Sequence, residues 1–147
     1  MISTLNEASD LVYEAVLDLQ DSGDLEADLL DLASRQLMLA MEPRILQLRR
    51  LVIGEAGRFP ELGRSFYERG PGRTIAALAA VFQQLAARGV LQLDDPILAA
   101  AHFNWLVMSI PLNRSMLLGR DEPLDPAELD RYAESGVRVF LAAYGHR

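Results

Sequence analysis

The sequence contains neither cysteine nor lysine, and it is poor in aromatic residues. Without cysteine the chain cannot form a disulfide bond or use a thiol nucleophile. A lack of disulfides is typical of proteins from a reducing compartment such as the cytoplasm. Aromatic residues make up 7% of the 147 residues, whereas hydrophobic residues as a class make up 50%. Alanine and leucine dominate that class, and both favour helices over strands.

Positive charge is carried by arginine alone. The 14 basic residues are outnumbered by 21 acidic residues, and the formal net charge is −7. Binding to duplex DNA depends largely on basic side chains that neutralise phosphates. We therefore expect this chain to bind DNA poorly by itself and to reach DNA only through another domain.

No apolar run is long enough to cross a membrane. The longest lies between residues 97 and 112, contains His102, Asn104 and Pro111, and falls short of the ~20 apolar residues that a span requires. The first residues lack the basic and apolar regions of a signal peptide. The length fits one domain, spanning residues 1–147. These observations predict a soluble, cytoplasmic domain.

Apolar residues recur with helical spacing along the whole chain, and no segment alternates as a strand does. Asp24, Asp94 or Asp95, and Asp125 stand where helix caps are expected, and prolines follow several helix starts. Pro111 lies inside the sixth helix and is expected to bend it. The sequence predicts an all-α bundle of seven helices, covering residues 4–21, 25–41, 43–56, 60–69, 74–88, 96–118 and 126–144.

No catalytic or metal-binding set has convincing spacing. The only histidines are His102 and His146, and the HExxH pattern of zinc enzymes is absent. Gly70–Pro71–Gly72 lacks the preceding strand and the lysine of a phosphate-binding loop. We expect no enzyme activity, no cofactor and no metal. His102 is interpreted first as a packed or interface residue and second as a contact to a ligand.

Large apolar side chains are concentrated on the second, fifth and sixth helices, and methionine among them suits an adaptable pocket. They predict an apolar cavity enclosed mainly by helices two, three, five and six, although ordinary core packing explains the same pattern. Arg49 or His102 could orient a polar group of a ligand. The other candidate pocket residues are Met38, Met41, Phe82, Phe103, Leu106 and Asn113.

The seventh helix is apolar around much of its circumference and carries small residues at Ala133 and Gly136. Such a helix needs two partners, and small residues allow close approach. The second partner is either another part of the same chain or the same helix in a second copy. For a two-fold dimer, the candidate interface residues are Trp105, Met108, Leu129, Ala133, Gly136, Val137, Phe140 and Tyr144.

Several segments resemble the C-terminal regulatory domain of TetR-family transcription regulators. The strongest is LRRLVIGEAGRFPEL at residues 48–62. It is joined by residues 66–71, 89–91, 95–96, 100–103 and 117–119. The resemblance spans nearly the whole chain, and the number of predicted helices agrees with it.

The resemblance implies a homodimeric domain that senses a small apolar or amphipathic effector. Residues 1–22 correspond to the helix that connects to the DNA-binding half, and residues 96–144 to the dimerisation helices. The helix-turn-helix of the family has no counterpart before Ser3, so operator binding and repression are implied for the parent protein. A dimerisation module without a ligand, and a small helical enzyme, are the alternatives. The effector's identity stays open.

Overall fold

The computed structural model describes residues 2–21, 23–119 and 125–145. This part of the chain is helical throughout, as the sequence predicts. Its only β-type pairing is an isolated bridge between Leu91 and Gly145. The α-helices are α1 (Ile2–Leu17), α2 (Leu25–Ala40), α3 (Pro43–Glu55), α4 (Pro60–Arg69), α5 (Pro71–Ala87), α6 (Pro96–Leu118) and α7 (Pro126–Tyr144), with a 3-10 turn at Asp18–Asp21 after α1.

Short-range capping chemistry fixes where several helices begin. The carboxylates of Asp24, Asp95 and Asp125 accept hydrogen bonds from backbone N–H groups in the first turns of α2, α6 and α7. These N–H groups have no partner inside their own helix, so each cap satisfies donors that the helix leaves open. The predicted caps at Asp24, Asp95 and Asp125 are confirmed.

The start of α5 differs from the prediction. Gly70–Pro71–Gly72 is predicted to separate two helices, yet α5 begins at Pro71, and Gly70 alone stands between α4 and α5. Proline fits the first position of a helix because its missing N–H would have no partner there. A single residue is therefore enough to redirect the chain, and α5 gains three residues at its start.

Five helices close a ring around the main core. In this ring α1 packs against α5, α5 against α6, α6 against α7, α7 against α2, and α2 against α1. At its centre Phe82, Phe103 and Phe140 are fully buried. The ring of Phe103 meets those of Phe82 and Phe140 nearly edge-on, with centroids 5.7 and 5.2 Å apart. Edge-to-face pairs of this kind add stability beyond the burial of their area.

A second, smaller core lies beside the ring. It is formed by Leu5 of α1, Leu48 and Val52 of α3, and Phe66 of α4. Because α3 is amphipathic, its buried residues Ile45, Leu48 and Val52 recur every three or four positions on one side. The domain thus has two apolar clusters, and α1 contributes to both of them.

The closest approach between α6 and α7 is at Gly136. A Cβ atom built there would lie 3.0 Å from the carbonyl oxygen of Leu106 and 3.1 Å from a methyl group of Val107. The small residue on α7 therefore serves packing within one chain. Of the two alternatives left open by the sequence, the structure selects the intramolecular one for Gly136.

We predict that Gly136→Val lowers the free energy of unfolding by about 1–3 kcal/mol, because its side chain would press on the backbone of α6, which cannot yield as a flexible side chain could. Urea denaturation measures the change. Ser135→Val is the matched control, since Ser135 is the exposed neighbour on the same helix. Equal stability of the two variants would contradict this account of the helix contact.

Candidate functional site

A cavity lies where the two apolar clusters meet. Its wall includes Leu5 and Phe66 from the smaller cluster and Val12 and Met108 from the larger one. The volume open to the centres of water molecules is about 70 Å³. This is enough for several waters or one small ring. This is less than the few hundred cubic ångströms of a typical drug-sized pocket.

The cavity wall draws on more helices than predicted. Helices α2, α3, α5 and α6 contribute as expected, and α1 and α4 also take part. Most of the wall is aliphatic or aromatic. Its polar exceptions are Ser9, Gln36, Arg49, Thr74 and Asn104.

Gln36 and Asn104 form a buried amide pair across the cavity wall. The Gln36 Nε2 group donates to Asn104 Oδ1 at 3.2 Å. Gln36 is only 3% exposed, and its Oε1 atom is buried without a hydrogen-bond partner. Leaving such an acceptor unsatisfied costs about 1–3 kcal/mol. The site therefore holds a polar atom that a hydroxyl group or a water molecule would satisfy.

Arg49 supplies a positive charge to the same wall. It is partly buried on α3, and its Nε–H has no acceptor. Its guanidinium carbon lies 5.0 Å from the centre of the Phe66 ring, a cation–π arrangement. Burial lowers the pKa of Arg49 because the charged form loses hydration. The usual value for arginine is so high that the side chain stays charged at neutral pH.

The wall formed by α1 is held to α5 by Arg73. This side chain donates to Ser9 Oγ and pairs with the Asp10 carboxylate, and its guanidinium lies over the Tyr13 ring. Ser9 lines the cavity, so the contact joins the cavity wall to the charged outer side of α1.

A more open groove of about 340 Å³ lies beside the cavity, between α3 and α6. Arg49 and Trp105 line both spaces. The two residues therefore lie between the cavity and the groove.

The predicted pocket residues lie in several different places. Arg49 lines the cavity and the groove, and Asn113 lines the groove. Phe82 and Phe103 belong to the aromatic centre of the main core, Met41 is buried in the same core, and Leu106 packs against it. Met38 is 71% exposed. The exposed His102 pairs through Nδ1 with the Tyr144 hydroxyl. Of the predicted set, only Arg49 lines the cavity.

The structure places the predicted dimer residues in three kinds of position within the single chain. Trp105 and Met108 line the cavity. Leu129 and Tyr144 are half-buried and pack against the main core. Four others are buried inside the single chain, which leaves them no surface for a second copy: Ala133, Gly136, Val137 and Phe140.

The sequence pattern did not indicate Gln36, Asn104 or Ser9 as residues of the site. Gln36 stands within the apolar stripe of α2, between Ala33 and Leu37, and Asn104 interrupts the longest apolar run of the chain. A polar amide at a core position could have indicated the site, because such a group needs a buried hydrogen-bond partner.

In the part of the chain that is described, no three His, Asp or Glu side chains converge as metal ligands. No described helix combines the length and apolar character needed to span a bilayer.

Comparison with protein families places this arrangement among transcription regulators. Residues 27–146 match the family of AefR-like transcriptional repressors, C-terminal domain. The chain belongs to the TetR family of transcriptional regulators, as its C-terminal domain. Its matched relatives are regulators and not enzymes. Among curated proteins, none matches the sequence significantly.

Solved structures agree with this assignment. A TetR-family transcriptional regulator from Mesorhizobium loti MAFF303099 is 38% identical, with a TM-score of 0.91 over 97% of this chain and 70% of that one. The flavonoid-responsive regulator FrrA is 33% identical, with a TM-score of 0.71 over 95% and 74% of the two chains. A TetR regulator from Agrobacterium tumefaciens is 27% identical, with a TM-score of 0.69 over 95% and 73%.

The buried amide pair generates a stability prediction. Asn104→Leu should lower the free energy of unfolding by about 1–3 kcal/mol, because it leaves Gln36 without its partner. Gln36→Met should lower it by less, because it also removes the unsatisfied Oε1 atom. The double variant should cost less than the sum of the two. Urea denaturation of all four proteins gives the coupling energy, expected at about 0.5–3 kcal/mol. Strictly additive losses would show that the amides do not depend on each other.

Proposed function

We propose that this chain is the effector-sensing and homodimerisation domain of a cytoplasmic TetR-family repressor. Residues 1–22 connect to the DNA-reading part of the regulator, and residues 96–144 carry the dimer contacts. Bound effector changes how α1 is seated and thereby alters operator binding. An effector can shift this equilibrium only by its different affinity for the two arrangements.

The observation that carries the proposal is the cavity between the two cores. It is closed on one side by α1, the helix that leads toward the DNA-reading part. A molecule in the cavity would touch Leu5, Ser9 and Val12 directly. Sensing then needs no long relay, because the wall of the binding site is itself the transmitting helix.

The chemistry of the wall favours an aromatic effector with a hydroxyl group. Phe66, Trp105 and Met108 offer apolar contact to a ring. The unsatisfied Oε1 atom of Gln36 calls for a hydrogen-bond donor. FrrA is named as responsive to flavonoids, which carry phenolic rings, and this agrees with the class of effector proposed here.

Phenol is the probe that tests this site. Trp105 is the only tryptophan and lines the cavity, so its fluorescence reports binding. We expect saturable quenching or shift on titration with phenol in the wild type. Ala40→Phe should abolish the response by filling the cavity, whereas Ala76→Phe, on the exposed side of α5, should retain it. If phenol does not change the Trp105 fluorescence of the wild type, the result would favour the alternative of a dimerisation module without a ligand.

The dimer contact is proposed on the outer sides of α6 and α7. On α6, Leu106, Ile110 and Leu117 recur at spacings of four and seven residues and so share one side. Ile110 is 53% and Leu117 77% exposed. On α7, Tyr132 and Val139 are seven residues apart, and Val139 is 48% exposed. A second copy related by two-fold symmetry is the occupant proposed for these apolar sides.

Val139→Glu should dissociate the dimer, because two-fold symmetry would bury two like charges in an apolar contact. Light scattering after size-exclusion chromatography at low micromolar concentration measures the mass. Ala80→Glu, at an exposed position of α5, is the control and should remain a dimer. A dimeric Val139→Glu protein would mean that the contact lies elsewhere.

A further inference from the structure

Arg49 differs from most of the other arginines because it is partly buried and has no acidic partner in the part of the chain that the structure describes. The exposed Arg58 also lacks a carboxylate partner there, but it lies over the Phe59 ring at the surface. Arg35, Arg64, Arg73 and Arg114 each lie within ion-pair distance of a carboxylate. Arg50 donates instead to the carbonyl oxygen of Ser115 at 2.9 Å. Arg49 has no acidic partner among the described residues and is the one whose Nε–H is buried without an acceptor. A partly buried cation without a counter-charge loses hydration, and an anion placed beside it would compensate that loss.

The surroundings of Arg49 offer no compensation within the chain. Neither the cavity nor the groove is lined by an aspartate or a glutamate among the described residues. The Phe66 ring offsets part of the lost hydration through its π-face. It accepts no conventional hydrogen bond, so the guanidinium beside the cavity still lacks an anionic acceptor.

The position of Arg49 on α3 explains why its positive charge lies at the cavity wall. Arg49 follows Ile45 by four residues and precedes Val52 by three, so it occupies the buried stripe of α3. Arg44, on the same helix, is exposed and lines neither space. The guanidinium is therefore held at the cavity wall by the fold of α3 and does not reach it as a flexible surface side chain would.

We propose that the cavity takes a small aromatic carboxylate, whose anionic oxygens bind the guanidinium of Arg49 while its ring lies against the apolar wall. This inference rests on the proposed function and names the charge of the effector. A planar guanidinium matches a carboxylate through two parallel hydrogen bonds. Such a pair in an enclosed site also discriminates strongly against a neutral ligand of the same shape.

The test compares two probes that differ in charge and hardly in shape, 4-hydroxybenzoate and 4-hydroxybenzamide. Trp105 fluorescence and calorimetry measure their affinities for the wild-type protein at neutral pH. We expect 4-hydroxybenzoate to bind at least about 10-fold more tightly, because hydrogen bonds to charged groups are the stronger class. This comparison needs no variant and so does not depend on any variant folding.

Variants then assign the preference to Arg49. Arg49→Met should remove the preference for the carboxylate and change the affinity for the amide less than about 2-fold. Arg49→Lys should keep part of the preference, because it retains the charge but loses the planar fork. Arg44→Met is the matched control and should behave as the wild type. Thermal unfolding should show Arg49→Met to be no less stable than the wild type, since it removes an unpaired buried charge.

The outcomes separate this inference from the proposed function. If phenol binds the wild type, and 4-hydroxybenzoate and 4-hydroxybenzamide bind it equally, the effector site stands and the anionic class is overturned. If the carboxylate is preferred but Arg49→Met keeps that preference, the assignment to Arg49 is overturned. If neither benzoate nor benzamide probe binds, the inference fails, and the phenol titration decides on the effector site.

Discussion

The closed ring of five helices around the aromatic centre is the constraint on which the rest of the domain depends. Phe82, Phe103 and Phe140 come from α5, α6 and α7, and their contacts fix how these helices meet. Beside the ring, residues of α3 and α4 form a separate cluster with one end of α1. The cavity lies at the seam between the two clusters.

The same seam explains why polar groups are tolerated so deep in the domain. Gln36, Arg49 and Asn104 all stand on helix faces that would otherwise be apolar. In a solid core each would leave donors or acceptors unsatisfied. At a cavity wall, a bound molecule could supply the missing partners. The unsatisfied Gln36 Oε1 and Arg49 Nε–H are therefore a cost in stability and also the basis of the proposed recognition.

Much of the fold follows from local sequence features. The caps at Asp24, Asp95 and Asp125 and the helical spacing of apolar residues predict the helices to within a few residues. The start of α5 was missed because a proline between two glycines resembles a loop, whereas its position at the helix start is decided by the packing of α4 on α5. The helical spacing of apolar residues indicates which side of a helix is buried, but it does not identify the element that packs against that side.

Because periodicity does not identify the packing partner, most of the predicted pocket residues do not line the cavity. Phe82 and Phe103 are large and apolar both in a pocket and in a core, so their residue type could not decide between the two. Gly136 permits close approach to any helix, and its neighbour proves to be α6 of the same chain. Arg49 was predictable because charge in an apolar stripe is unusual in either setting.

One contact connects α3, which lines the cavity, to the C-terminal end of α6. Arg50, the residue after Arg49, donates to the Ser115 carbonyl in the last turn of α6, where a cation also suits the helix dipole. Rotation of α3 cannot move one of these adjacent arginines without moving the other. In the proposed regulator, an effector that displaces Arg49 would also displace Arg50, and with it the Ser115 carbonyl at the C-terminal end of α6.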